Sequence, residues 1–190
     1  MFRRATLLGL VALVALGGPV LAGTTANITI TVTVEFLSVS ANPTTVALGT
    51  VAAGTTTIGS KVDITNDGNA AENIGLTITN QDSQGAWTSE QAAGANQYVL
   101  YGIIVTDGGA APIVANCQTD DVLYTSVRYW QTTDGTAANS ACGILIGTAT
   151  PVPAGGARDL YFGFAAPTSV FGPSANLQHS ITVELSVYKD

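Results

Sequence analysis

Residue types that do chemistry are sparse in this chain: one histidine, His179, two cysteines, Cys117 and Cys142, and 13 acidic residues. A Ser-His-Asp hydrolase needs its imidazole against the nucleophile. The only adjacent serine pair for His179 is with Ser180, at the start of a β-patterned run whose alternation sends the two side chains to opposite faces. His179 therefore reads as a surface or hairpin-end residue. A zinc centre would need three or four ligands from His179, Cys117 and Cys142, so no metal is expected there. Paired carboxylates about 5 to 9 Å apart serve glycosidases, and Asp120 with Asp121, or Asp63 with Asp67, invite that reading. Neighbouring acids on a strand face opposite ways, and in an acidic domain such pairs are ordinarily solvated. Asp63, Asn66, Asp67 and Asn69 offer oxygens suited to calcium, but the closing position of an EF-hand spacing holds Ile74. A metal-free turn is the expectation, with no catalytic residue and no cofactor.

The elements that must position any site begin with a processing segment. Arg3 and Arg4, the apolar run Leu7 to Leu16, and Val20-Leu21-Ala22 after a Gly-Gly-Pro break read as a signal peptide over residues 1–22. The apolar run is about ten residues, half of what spans a bilayer. The expected product is a secreted single domain, residues 23–190, at the cell surface, outside the cell or in a periplasm, with no membrane span. In such a compartment Cys117 and Cys142 read by default as a disulfide, whose loop of about 25 residues would be worth roughly 3 kcal/mol. A reactive thiol, a metal pair or a bond to another subunit stays open.

The sequence has a formal net charge of −7 and a pI near 4.3. Signal removal leaves Lys61, Arg128, Arg158 and Lys189 as the only basic residues, so phosphate binding lacks its electrostatic term and no nucleic-acid partner is expected. Short β-patterned runs alternate with Gly, Asn, Asp and Pro clusters, and no segment keeps helical spacing over three turns. The chain reads as all-β, a two-sheet immunoglobulin-like sandwich of about nine antiparallel strands. The runs are Ala26–Ser40, Val46–Ala52, Ser60–Asn66, Ala71–Asn80, Tyr98–Val105, Val122–Gln131, Cys142–Thr148, Asp159–Ala165 and Ser180–Val187. Asp-Gly pairs at 67–68, 107–108 and 134–135 mark hairpin turns. Pro151 to Gly156 suits a crossing between sheets, and Pro167 to Pro173 an ordered loop.

Two further patterns bear on function. Tyr124, Arg128 and Trp130 alternate onto one strand face, an arrangement that binds sugars or proteins when exposed and plugs a core when not. Trp87 allows both readings as well. At the N-terminus, Ile28, Ile30, Val32, Val34 and Phe36 share one face and Thr29, Thr31, Thr33 and Glu35 the other. Such a strand pairs within its own domain or inserts at a neighbour's sheet edge.

Within Val46 to Thr79, Gly49-Thr50-Val51, Gly54-Thr55 and Thr65-Asn66-Asp67-Gly68-Asn69 resemble the core of Hydin-type (ASH) immunoglobulin-like domains of exported bacterial proteins. The resemblance covers about a fifth of the exported chain and implies adhesion, scaffolding or surface assembly. A weaker one, carried by the signal segment, the β-rich start and Asn42 to Thr45, is to camelysin and TasA-type fibre subunits. The combined expectation is a non-enzymatic structural or interaction protein with protein partners or self-assembly, able to polymerise by strand donation. The alternative is a glycan- or protein-binding module built on the aromatic platform.

Overall fold

The computed structural model describes residues 28–114, 119–129, 151–172 and 177–189. The chain divides at Val34. Of the part before it, residues 28–33 are described; they carry no strand, and Ile28, Ile30 and Val32 are exposed.

From Val34 onward the regular structure of the described residues is almost entirely β. The strands are β1 (Val39–Asn42), β2 (Thr56–Ile58), β3 (Val62–Asn66), β4 (Asn73–Asn80), β5 (Thr88–Ser89), β6 (Gln97–Thr106), β7 (Arg128–Tyr129), β8 (Ala157–Ala165) and β9 (Thr182–Tyr188). The larger sheet has the order β1-β3-β8-β6-β5, with β2 also on β8; the smaller has the order β7-β4-β9. All described pairings are antiparallel except β5 with β6.

Sequence pattern explains these placements. β6 and β8 are almost continuously apolar because both of their faces are covered, as a strand buried on both sides requires. Toward the smaller sheet, Tyr98, Leu100, Ile104, Leu160 and Phe164 meet Ile74, Leu76 and Ile78 of β4 in one core. On the opposite face, Ile103, Val105 and Tyr161 form a second cluster, and Val99, Val122 and Ala165 a third.

Several expected elements differ. The run Ala26–Ser40 forms no strand over residues 28–38; only Val39–Asn42 does. Val46–Ala52 is not a strand either: Gly49 adopts φ 68°, which breaks the extended course, while Val46, Leu48 and Val51 pack half-buried on the core. Over its described residues, 122–129, the run Val122–Gln131 contributes only Arg128–Tyr129, because a 3-10 turn at Thr119–Asp121 delivers Val122 and Leu123 into the interior as plugs. The turn Asn66 to Asn69 is no hairpin, since it carries the chain from β3 in one sheet to β4 in the other. Thr56–Ile58 and Thr88–Ser89 are strands the alternation did not signal.

Asp107-Gly108 turns the chain out of β6 but makes no hairpin, since the next described strand, β7, lies in the other sheet. Two other expectations hold. Val152 exchanges backbone bonds with Glu72, just ahead of β4, before the chain enters β8 beside β3. Pro151 to Gly156 is thus a crossing. The loop after Ala166 is ordered through Gly172 by bonds from Thr168 N–H to Gly94 O, from Asn96 N–H to Ser169 O, and from Phe171 N–H to Asn96 Oδ1. Among the described residues, no helix is long and apolar enough to cross a membrane. The expected signal segment, Cys117, Cys142, Trp130, the expected run Cys142–Thr148 and the expected turn at Asp134-Gly135 lie outside the described residues.

Candidate functional site: an exposed tail and its anchor

The N-terminal segment presents its apolar residues to solvent. Ile28 is 85% exposed, Ile30 81%, Val32 76%, Val34 74% and Phe36 54%. Scattered apolar residues at a surface are ordinary, but five in strict alternation along one segment are not.

The root of this segment is held by the turn after β3. The Asn69 side chain acts as a surrogate strand neighbour: Phe36 N–H donates to its Oδ1 at 2.8 Å, and its Nδ2 donates to Val34 O at 2.8 Å. Asn69 N–H adds a bond to Phe36 O at 3.2 Å, while Asp67 and Gly68 N–H both donate to Ser38 O. Glycine is required at 68 because a Cβ there would stand 2.6 Å from Phe36 O, a backbone atom that cannot step aside cheaply. Lys189, just past β9, pairs with Glu35. The Asn66-Asp67-Gly68-Asn69 motif, expected from sequence to be a metal-free hairpin turn, thus serves as the clasp for residues 34–38.

Beneath the clasp lies Glu72, 1% exposed, whose Oε2 accepts Ser38 N–H at 3.1 Å while its Oε1 is buried without a hydrogen bond. Burial raises its carboxyl pKa, the Ser38 N–H opposes that, and the nearby charge of Asp67 adds to it. A raised folded pKa means that the ionised form is disfavoured in the fold, so stability falls as pH rises through that value. Glu72→Gln keeps the Ser38 bond and removes the charge. Its melting temperature at pH 7 should rise by about 3 °C, the equivalent of roughly 1 kcal/mol in a domain of this size. Below pH 4 calorimetry should find the two proteins equal.

The other sequence-flagged residues divide differently. Tyr124 is half-buried against the cluster of Val99, Val122 and Ala165, and Arg128 is in β7. Trp87 is a core plug, packed on the main cluster and stacked on His179 with ring centroids 3.8 Å apart and 7° between planes. His179 is not a surface residue: its side chain is 6% exposed, with Nδ1 2.8 Å from Asp82 Oδ1. The stacked indole, the Asp82 carboxylate and the chain entering β9 enclose the ring together. Asp63 does not group with Asp67. It stands across the β3–β8 ladder from Asp159, and these two with Asp107 place carboxylate oxygens within 4.8 Å of one another. Lys61 Nζ reaches into the group, 2.7 Å from Asp63 Oδ1 and 3.3 Å from Asp159 Oδ1, and the Asp159 Oδ2 accepts Gly108 N–H. The one ammonium offsets part of the charge of Asp63 and Asp159, and Asp107 is exposed. Sequence reading missed this group because its members come from β3, the turn after β6, and β8; only the strand register brings them together.

No family model and no curated protein matches the chain. The functional reading therefore rests on the tail and the sheets.

Proposed function

We propose that this protein is a secreted, non-enzymatic subunit of a cell-surface or extracellular assembly, an immunoglobulin-like sandwich that joins copies by donating its N-terminal strand. The observation that carries this is the tail: five apolar residues in strand alternation, Ile28 to Phe36, exposed and outside every described strand. Leaving such a surface in water forfeits on the order of 1.5 to 3 kcal/mol per large side chain relative to burying it. Main-chain bonds to another sheet would add affinity, and the alternate side chains specificity. The clasp supports the same reading, since it fixes the root of the tail while residues 28–33 belong to none of the described core clusters. The aromatic platform draws no support from Tyr124, which faces the cluster of Val99, Val122 and Ala165.

The test is a deletion of residues 23–33 that leaves Val34 and the clasp in place. The full exported chain should form filaments visible by negative stain and scatter light as its concentration rises, whereas the shortened one should stay a folded monomer at 100-fold higher concentration. Equal assembly by both, or a folded monomer in both, would refute strand donation.

A further inference from the structure

Resting on that reading, we infer that the acceptor for the tail is the outer edge of β9 in a second copy of the chain, with Ile28, Ile30 and Val32 seated beside Val183, Leu185 and Val187.

Sheet edges narrow the choice first. Among the described strands, those paired on one side only are β1, β2, β5, β7 and β9, of four, three, two, two and seven residues. Only β9 offers an edge as long as the tail, and β1 is the continuation of the tail's own root. β9 bonds to β4 on one side, and no described strand bonds to the other, although β1 passes near β9. Its sequence, Thr182 to Tyr188, contains no proline and a single charge, Glu184. Natural edge strands are normally protected by such residues, so a long edge without them is a docking edge.

The register shows which groups that edge presents. Ile78 N–H donates to Tyr124 O, on the β7 side of β4. Ile78 therefore turns its hydrogen-bonding groups away from β9, and its partner Val183 turns its own away from β4, as residues in a non-hydrogen-bonded antiparallel pair must. Leu76 with Leu185 and Ile74 with Val187 follow at two-residue steps. The N–H and C=O of Val183, Leu185 and Val187 thus face outward. Three alternating positions await a strand, and the tail's exposed stretch has three alternating apolar residues to match.

Packing points the same way. The core side chains of β4, Ile74, Leu76 and Ile78, are at most 4% exposed, while Ile181, Val183 and Leu185 are only partly buried against the same cluster. The smaller sheet is thin on its β9 side. A strand laid there with its apolar face inward would extend the core over these residues and put Thr29, Thr31 and Thr33 outward, beside Thr182, Glu184 and Ser186.

The decisive variant is Val187→Pro. It deletes one outward N–H yet leaves the bonds that Glu184 and Ser186 make to β4, and edge positions accept proline. Val187→Thr is its control. Sedimentation velocity should find the threonine variant assembling like the parent and the proline variant at least 100-fold weaker, with both melting near the parent. Amide exchange on the parent chain, which needs no variant to fold, should slow at least 100-fold at Val183, Leu185 and Val187 on going from dilute monomer to assembly. Protection of residues 28–33 without protection of these three would overturn the β9 assignment and leave strand donation standing. Assembly that is indifferent to the tail deletion would remove both.

Discussion

Asp82→Ala should lower the unfolding free energy in urea by roughly 3 kcal/mol, about a third of the stability of an ordinary domain. The carboxylate is the hub of the loop between β4 and β5. One oxygen accepts Ala86 N–H at 2.7 Å and Trp87 N–H at 3.0 Å; the other accepts Gln84 N–H at 3.1 Å and pairs with His179. Hydrogen bonds to a charged group are worth about 1.5 to 3 kcal/mol each when intact, and the loop recovers part of that by turning its amides to water. The His179 ring has no such relief, because the Trp87 indole holds it in place. Asp82→Asn should cost about half as much. One amide oxygen still serves Ala86 and Trp87, but the amide nitrogen then meets the Gln84 N–H donor.

The same carboxylate gives an acid limb whose sign is fixed. Burial pushes its pKa up, but the N–H groups of Ala86 and Gln84, the His179 ring and the Trp87 N–H outweigh it and hold the group below its ordinary 3.8. A depressed folded pKa contributes stability that is complete above 3.8 and is lost as pH falls through the lower, folded value. Urea midpoints taken from pH 6 down to pH 2 should therefore converge for the parent and Asp82→Ala at the acid end. Curves that stay parallel to pH 2 would show that the carboxylate's charge is not what holds the loop.

What sequence could reveal divides along a physical line. β3, β4, β6, β8 and β9 were legible because burial imprints period two, or an unbroken apolar run, directly on the chain. The N-terminal segment carries the same period at greater strength than β1, yet forms no strand within its own chain over residues 28–38. Alternation reports only that a segment is suited to pairing, not which chain supplies the partner. Val46 to Ala52 misled for a different reason: its apolar residues do pack on the core, but around a left-handed Gly49 rather than in a ladder. The polar hubs were invisible. His179 and Asp82 are 97 residues apart, and Asp63, Asp107 and Asp159 meet only through β3, β6 and β8. An Asp or Asn in a turn looks the same in sequence whether it merely closes the turn or gathers several distant backbone groups.

Asn66 shows how much can depend on that difference. Asn66→Ala should destabilise the domain by roughly 3 kcal/mol and should loosen most of all the clasp and the two crossings that meet at this residue. The residue ends β3 and is 1% exposed. Its Nδ2 donates to Ala70 O and Val152 O, both at 2.8 Å, and its Oδ1 accepts Gly68 N–H at 2.8 Å. Its own backbone bonds to Gly155 and Gly156, on the crossing into β8. One amide thus ties the crossing from β3 to β4 to the crossing that leads into β8. Alanine orphans Ala70 O and strips one bond each from Val152 O, which keeps Glu72 N–H, and from Gly68 N–H, which keeps Ser38 O; an orphaned buried group costs about 1 to 3 kcal/mol and each further lost bond about 1. Asn66→Asp should be at least as harmful despite its shape, since a carboxylate cannot donate to either carbonyl and adds a buried charge near Asp67 and Glu72. Amide exchange would locate the damage. Faster exchange is expected at Gly68, Asn69 and Glu72 and therefore at the tail's root, Phe36 and Ser38, while the amides of β6 and the C-terminal half of β8 keep the rate set by global unfolding. Uniform acceleration would mean that Asn66 stabilises the whole domain and has no special hold on the clasp. The localised pattern would tie assembly to the fold, because a subunit whose clasp is loose loses the fixed root from which its strand is donated.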